Sequence, residues 1–543
     1  MTVFQAADPD RFLMLLLPLA VAFTALMSPV SSANTECVPR RFDQDSVVCV
    51  CNSTFCDFMD TGSNVPPPSN PYLYFYYFTS SRDGERLKMK QSSFGAGTSP
   101  NKYVYYRGND TLQSIIGFGG AFTDAATINI HSLSDGARTN LMKSYYSSMG
   151  NDYSIGRIPM ASCDFSKRLY SYDDEAGDLK LTKFSLTEED ALFKIPAIKQ
   201  AMSLSKRNIS LFGSPWSAPG WMKTNGNMTG KGTLKGQPGG EYFKAWANYF
   251  VKFLQAYRDH GINIWGLTGQ NEPTDGMITD FPFQCMGWTP ELQRDFIAQD
   301  LGPALEANGF GHVKLMILDD QRVFLPYWPE VVLKDKSAAK YVSGIAVHWY
   351  EDLIVPHSAL DITYKLFGDK YFILNTEACE QDLVDKTKSV KLGSWHSAER
   401  YFYDIVEDLR HGVGGWVDWN LALDMQGGPN WQNNFADSPI IVNAEKDEFY
   451  KQPMFYAMAH FSKFIEPGSN VISFSRNFTE DIGVDVVFTA KEYDDVDKKV
   501  VANFLNRNEN ETVSITVFDP PNAGMINVDL PPKSFVTITW LSP

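Results

Sequence analysis

The stretch Trp265-Gly-Leu-Thr-Gly-Gln-Asn-Glu-Pro273 reads as the end of a buried strand that stops on chemistry. Residues 262–268 suit a sheet interior, Gly269 breaks the run, and Gln270, Asn271 and Glu272 form a polar tip closed by Pro273, which cannot continue a ladder. A carboxylate beside an amide is thereby held at a sheet rim, where a substrate can reach it. Taken alone, such an acid is commonly an ordinary strand end in solvent. Its candidate partner is Glu377, which ends another apolar run, Lys370-Tyr-Phe-Ile-Leu-Asn-Thr-Glu377.

These two runs belong to a series of eight, at residues 115–122, 153–160, 209–216, 262–272, 313–320, 344–350, 371–377 and 412–420. Amphipathic segments at 186–205, 241–260, 290–308 and 397–411 lie between them. Continuously apolar strands separated by helices predict a parallel sheet covered on both faces, and eight of them predict a (β/α)8 TIM barrel of α/β class. Strand ends of such a barrel converge on one mouth, so Glu272 and Glu377 can face each other although remote in sequence. The tail, with period-two segments at 484–490, 499–506, 512–518 and 534–540, predicts an accessory β-sandwich, joined by the aromatic-rich segments 72–79 and 102–106.

Two carboxyls about 5 to 5.5 Å apart define retaining glycoside hydrolysis. Glu377 is the expected nucleophile and Glu272 the acid/base, with Asn271 placed to donate to a sugar hydroxyl. Proximity of the two acids is expected to raise the pKa of the one that must stay protonated. Asp164 can bind sugar hydroxyls or cap a helix; Trp216 and Trp419, at strand tips, can stack on a sugar ring. His348 and Tyr350 end the sixth run. The eight histidines show no paired spacing, so no metal is expected.

A net charge of −16 without a basic stripe excludes nucleic acid as a partner. The sequence pI near 5.0 means that repulsion from an anionic membrane fades in an acidic compartment. Residues 12–27 are apolar and precede the small residues Ser31-Ser-Ala33, which predicts a cleaved signal peptide over 1–33, an uncleaved anchor being the alternative. Secretory passage fits the six sequons at Asn52, Asn109, Asn208, Asn227, Asn477 and Asn510. Cys37, Cys49, Cys51 and Cys56 read as two disulfides in preference to zinc, with three connectivities open. Cys163, Cys285 and Cys379 read as buried thiols.

The motifs Gly117-Phe-Gly-Gly-Ala-Phe-Thr-Asp124, Met160-Ala-Ser-Cys-Asp-Phe165, Ser214-Pro-Trp216, Ala346-Val-His-Trp-Tyr350, Asp418-Trp-Asn-Leu-Ala-Leu423 and Phe449-Tyr-Lys-Gln-Pro-Met-Phe455 resemble the lysosomal acid β-glucosidase family. The resemblance spans nearly everything from Cys37 onward. It implies a (β/α)8 barrel over 112–420 with 453–467, a β-sandwich over 67–111 with 468–543, and a small disulfide-stapled antiparallel sheet domain over 34–66 with 421–452. It implies retaining cleavage of glucosylceramide, membrane-associated in the lysosome lumen, without a cofactor. Glu272 becomes acid/base and Glu377 nucleophile, with Asp164, Trp216, Asn271, His348, Tyr350, Trp419 and Asn434 around the glucose. Disulfides Cys37 to Cys49 and Cys51 to Cys56 are implied, as are a saposin-type activator, a lysosomal transport receptor and anionic lipid. Gln270 stands where the family has an acid, which removes a negative charge beside Glu272. The rival readings are a family member for another β-glycoside and a catalytically silent glycan-binding protein.

Overall fold

Eight parallel strands close into a barrel in chain order: Gly117–Ala121, Ile155–Met160, Ser210–Pro215, Gly266–Thr268, Lys314–Gln321, Val342–His348, Phe372–Ala378 and Val413–Asp418. The last pairs with the first, Trp416 opposite Phe118, so no edge is left open. The computed structural model describes residues 36–59, 70–493, 497–522 and 524–543. The expected signal segment, 1–33, lies outside the described residues. Among them, no helix is long and apolar enough to cross a membrane.

The strands match the eight apolar runs, with one correction. The fourth is only three residues long: Ile262 donates its backbone N–H to Tyr257 at the end of the preceding helix, Glu241–Asp259, and bonding to the neighbouring strands begins at Trp265, which donates to Leu211 and accepts from Lys314. The helices of the outer ring follow from local sequence. Thr123 caps Asp124–Ser132 through the Ala126 N–H, and Ser394 caps Trp395–Arg410 through that of Ser397.

A nine-stranded sheet takes in Tyr74–Ser81, Lys88–Ser93, Tyr103–Ser114 and six strands between Asn470 and Ser542. The bridge Gly95–Met525 links its two edge regions, so the sandwich is one sheet curled over a core that includes Phe75, Tyr105, Phe488, Phe504 and Trp540. A third sheet of five strands joins Pro39–Arg41 and Val47–Asn52 to Glu448–Lys451, Ile440–Asn443 and Leu423–Asp424. Its pairings are antiparallel except for the parallel one between Leu423–Asp424 and Ile441–Val442. Disulfides Cys37–Cys49 and Cys51–Cys56 staple this sheet, and the thiols of Cys163, Cys285 and Cys379 are buried. Five sequon asparagines are exposed; Asn52 is half-buried, its side-chain oxygen accepting from Thr54 and Phe55.

Candidate active site

The carboxyl ends of the barrel strands surround a cavity of about 440 Å³, walled in part by Asp164, Trp216, Glu272, Tyr350, Glu377, Trp419 and Asn434. One oxygen of Glu272, one of Glu377 and one nitrogen of His348 lie within 4.8 Å of one another. Glu377 is on the seventh strand. Glu272 stands past the end of the fourth, at φ +39°, a left-handed conformation that a non-glycine residue holds only where its surroundings impose it. Here the backbone N–H of Asn271 donates to Pro215 and that of Glu272 to Asp319, which pins the turn to both neighbouring strands.

A buried guanidinium organises the floor. Arg157, on the second strand, donates to Glu377 Oε2, to Asn271 Oδ1 at 2.9 Å, to Asp319 Oδ2 at 2.9 Å and to Ser214 Oγ at 3.0 Å. The Tyr350 hydroxyl donates to the other oxygen of Glu377 at 2.7 Å. His348 bridges Glu272 Oε1 and Asp319 Oδ1, 3.1 Å to each. Burial works against its charge, but Glu377, Asp319 and Glu272 push its pKa up to about 10, so the ring donates from both nitrogens. Gln321 adds a donor to Glu272 Oε1 at 2.9 Å.

The protons are distributed differently from the sequence expectation. Burial, joined by the Glu272 charge, raises Glu377 above its ordinary range against Arg157, His348 and Tyr350. For Glu272, burial is outweighed by His348, Asp275 and Arg157, and the carboxyl lies below its ordinary range. Asp275 hydrogen-bonds to Glu272 and is pushed up to about 12 by burial and by that neighbour. Glu272 and Asp275 therefore hold one proton between them. The raised groups are thus Glu377 and Asp275, not Glu272 itself.

Of the other expected residues, Asp164 accepts from Asn434 at 2.9 Å and Asn430 at 3.2 Å, and burial lifts it to about 7. Trp216 and Trp419 stack on each other, centroids 4.8 Å apart and planes 16° apart, which removes their facing surfaces from any sugar. Asn271 and His348 sit behind the carboxylates; the Asn271 oxygen is engaged by Arg157, leaving its NH2 to donate. Gln270 brings no charge to Glu272 and makes its bonds elsewhere. Its amide donates to the Trp216 and Asn271 carbonyls, and its oxygen accepts from Trp288. The Cys379 thiol, pushed up by burial, touches Tyr350 and is protonated. Sequence reading missed Arg157, Asp275 and Gln321. Only Arg157 left a trace, as a cation inside the apolar run 153–160.

Apolar side chains gather on the loops after strands four, six and seven. Ile278, Leu353, Ile354, Leu383 and Val384 are 52%, 82%, 79%, 84% and 98% exposed, an unusual density for one end of a molecule.

A closed parallel barrel with two buried glutamates at its carboxyl end is the architecture of barrel glycoside hydrolases. Residues 115–465 match the glycosyl hydrolase family 30 TIM-barrel domain, and the chain belongs to that family. It is 47% identical to lysosomal acid glucosylceramidase of Mus musculus, over 93% of this chain and 95% of that protein. It is 42% identical to putative glucosylceramidase 4 of Caenorhabditis elegans, over 96% and 98%. The crystal structure of SrfJ from Salmonella typhimurium superposes with a TM-score of 0.76 at 28% identity, covering 86% of this chain and 99% of that one.

Proposed function

We propose that the chain hydrolyses the β-glucosyl bond of glucosylceramide with retention, releasing glucose and ceramide in the lysosome lumen at a membrane surface. The observation that carries this reading is the Glu272–Glu377 pair within 4.8 Å at the floor of a cavity whose outer lip is apolar. An inverting enzyme needs a wider gap, about 6.5 to 9.5 Å, to admit water between the carboxyls. An apolar lip suits an aglycone that stays embedded in lipid while the sugar enters the barrel.

In the first displacement a Glu377 oxygen bonds to the anomeric carbon as the glycosidic bond breaks. The leaving oxygen takes a proton from Glu272, which shares one with Asp275. In the second, Glu272 takes a proton from water, whose oxygen replaces Glu377 at the same carbon. Asp164, held by Asn434, binds sugar hydroxyls, and the Asn271 NH2 serves the 2-OH. A saposin-type activator, a transport receptor and anionic lipid are the partners in this reading, the lip being the surface that meets lipid.

The test is covalent labelling. A 2-fluoro β-glucoside is expected to modify Glu377, located by peptide mass spectrometry, and Glu377→Gln to abolish the adduct. An adduct on any other residue would reassign the nucleophile. A panel of fluorogenic glycosides with and without anionic vesicles then separates glucosidase from galactosidase or xylosidase activity.

A further inference from the structure

Away from the cavity, two histidines and a glutamate converge where the helix Ser358–Phe367 meets the end of the helix Trp395–Arg410. Glu407 Oε2 lies 3.5 Å from His411 Nε2 and 3.9 Å from His357 Nδ1, and the three donor atoms are all within 4.8 Å of one another. The other oxygen of Glu407 accepts from Arg410 at 2.8 Å. His411 Nδ1 is 2.8 Å from Asp361 Oδ1. Charged, the ring donates to both Asp361 and Glu407; neutral, with its proton on Nδ1, it turns the Nε2 lone pair toward Glu407. With His411 in that tautomer, the Glu407 oxygen and the two ring nitrogens are three ligand atoms gathered round one point once the His357 ring is turned. We propose that His357, Glu407 and His411 bind a divalent transition-metal ion, zinc by the chemistry of the donors.

Donor identity supports zinc. Imidazole nitrogens with a carboxylate oxygen are its ordinary ligands, and bonds of about 2.0–2.1 Å in a tetrahedron separate neighbouring donors by about 3.3 Å. The His411–Glu407 separation, 3.5 Å, is already near that value, and the His357–Glu407 separation, 3.9 Å, must shorten. The imidazole ring centroids lie 5.0 Å apart with their planes inclined by 19°, so the His357 ring must turn to aim its nitrogen. Its side chain is 22% exposed and has room to do so. The Asp361–His411 contact is the carboxylate–histidine pairing that orients a metal ligand and fixes its tautomer. Two cations stand nearby: Arg410 is engaged by Glu407, and Arg322, held by Asp352 at 3.0 Å, acts on His357, with Glu407 and Asp361 opposing them.

The position gives the ion a consequence. His357 ends the loop that begins after His348 and carries Tyr350 and Glu351 into the cavity wall. Glu407 and His411 close the helix that follows Glu377 in the chain. A metal across them clips the lip of the cavity to the barrel's outer ring, independently of which glycoside is cleaved.

The full chain, freed of metal by chelation and dialysis, is titrated with zinc chloride by calorimetry and with cobalt(II) by visible absorption. We expect about one equivalent bound, a tetrahedral cobalt spectrum and a zinc-dependent rise in Tm. His411→Ala and Glu407→Gln are expected to lose all three responses, and Asp361→Asn to weaken affinity about tenfold or more. His357→Gln, at a partly exposed position, is the variant least prone to disturb folding; metal-free circular dichroism and Tm check this for all four. Failure of the wild-type chain to bind zinc at micromolar concentration overturns the proposal. So does undiminished binding by folded His357→Gln or His411→Ala.

Discussion

Arg157 lies wholly buried beneath Glu377 and donates a guanidinium hydrogen to its Oε2. The same guanidinium reaches Asn271, Asp319 and Ser214, so one side chain from the second strand positions groups from four others. Only a planar fork can serve these acceptors together. The aim of the Glu377 carboxylate, the nucleophile of the proposed reaction, and the packing of the barrel floor therefore both rest on one residue.

Replacing Arg157 by Lys keeps a charge but loses the fork. We expect kcat to fall by about 10²-fold or more, and a 2-fluoro glucoside to label Glu377 correspondingly slowly. Arg157→Gln takes the guanidinium from two buried acids, leaving Asp319 to His348 and Glu377 to the Tyr350 hydroxyl, and costs about 3–5 kcal/mol of stability, read as a lowered urea midpoint. A folded Lys variant with wild-type kcat rules out the positioning role.

Tyr350 opposes the upward push that burial and Glu272 exert on Glu377. Removing the hydroxyl in Tyr350→Phe takes away that opposition. Attack needs the carboxylate, so activity is lost as pH falls through the Glu377 pKa. We expect the acid limb of the kcat/KM profile to move to higher pH, with a loss of about tenfold on that limb and less above it. An unmoved limb contradicts this.

Asp275 shares a proton with Glu272, and Asp275→Asn removes the shared site. Glu272, still held down by His348 and Arg157, then ionises at lower pH. The basic limb is expected to shift to lower pH, most for glycosides whose leaving oxygen must be protonated. Aryl glucosides with good leaving groups are expected to change little. Equal loss for both kinds of substrate would count against the proton-sharing pair.

Stability is expected to be greater near pH 5 than near pH 7. Burial raises Asp164, Asp320 and Asp437 to about 7, Asp352 to about 11 and Asp275 to about 12. Across pH 5–7 these groups stay largely protonated when folded and ionise on unfolding, so the folded state binds more protons and loses stability as pH rises. His348, raised to about 10, adds to the same trend above its unfolded value of 6.5. His357 and His460, lowered by burial to about 4 and 3, act the other way below that value, but are outnumbered. Thermal melts between pH 4.5 and 7.5 check the sign; a Tm that climbs towards neutrality refutes it.

The barrel was legible because its strands are buried on both faces and so read as unbroken apolar runs. The two glutamates were legible because each ends such a run. The start of the run 262–268 misled for a local reason, since Ile262 is spent on closing the preceding helix and bonding to the neighbouring strands begins only at Trp265.

What the sequence alone determined is the class of fold and the kind of chemistry, and it singled out two glutamates that the fold brings together. Each rests on periodicity or residue type, which a linear chain displays. Tertiary structure decided which groups hold those acids and where the protons rest. Arg157, Asp275, Gln321 and the His357–Glu407–His411 cluster act across strand register and helix packing, between residues remote in the chain. Their charges shift through burial and mutual distance, and neither exists until the chain has folded.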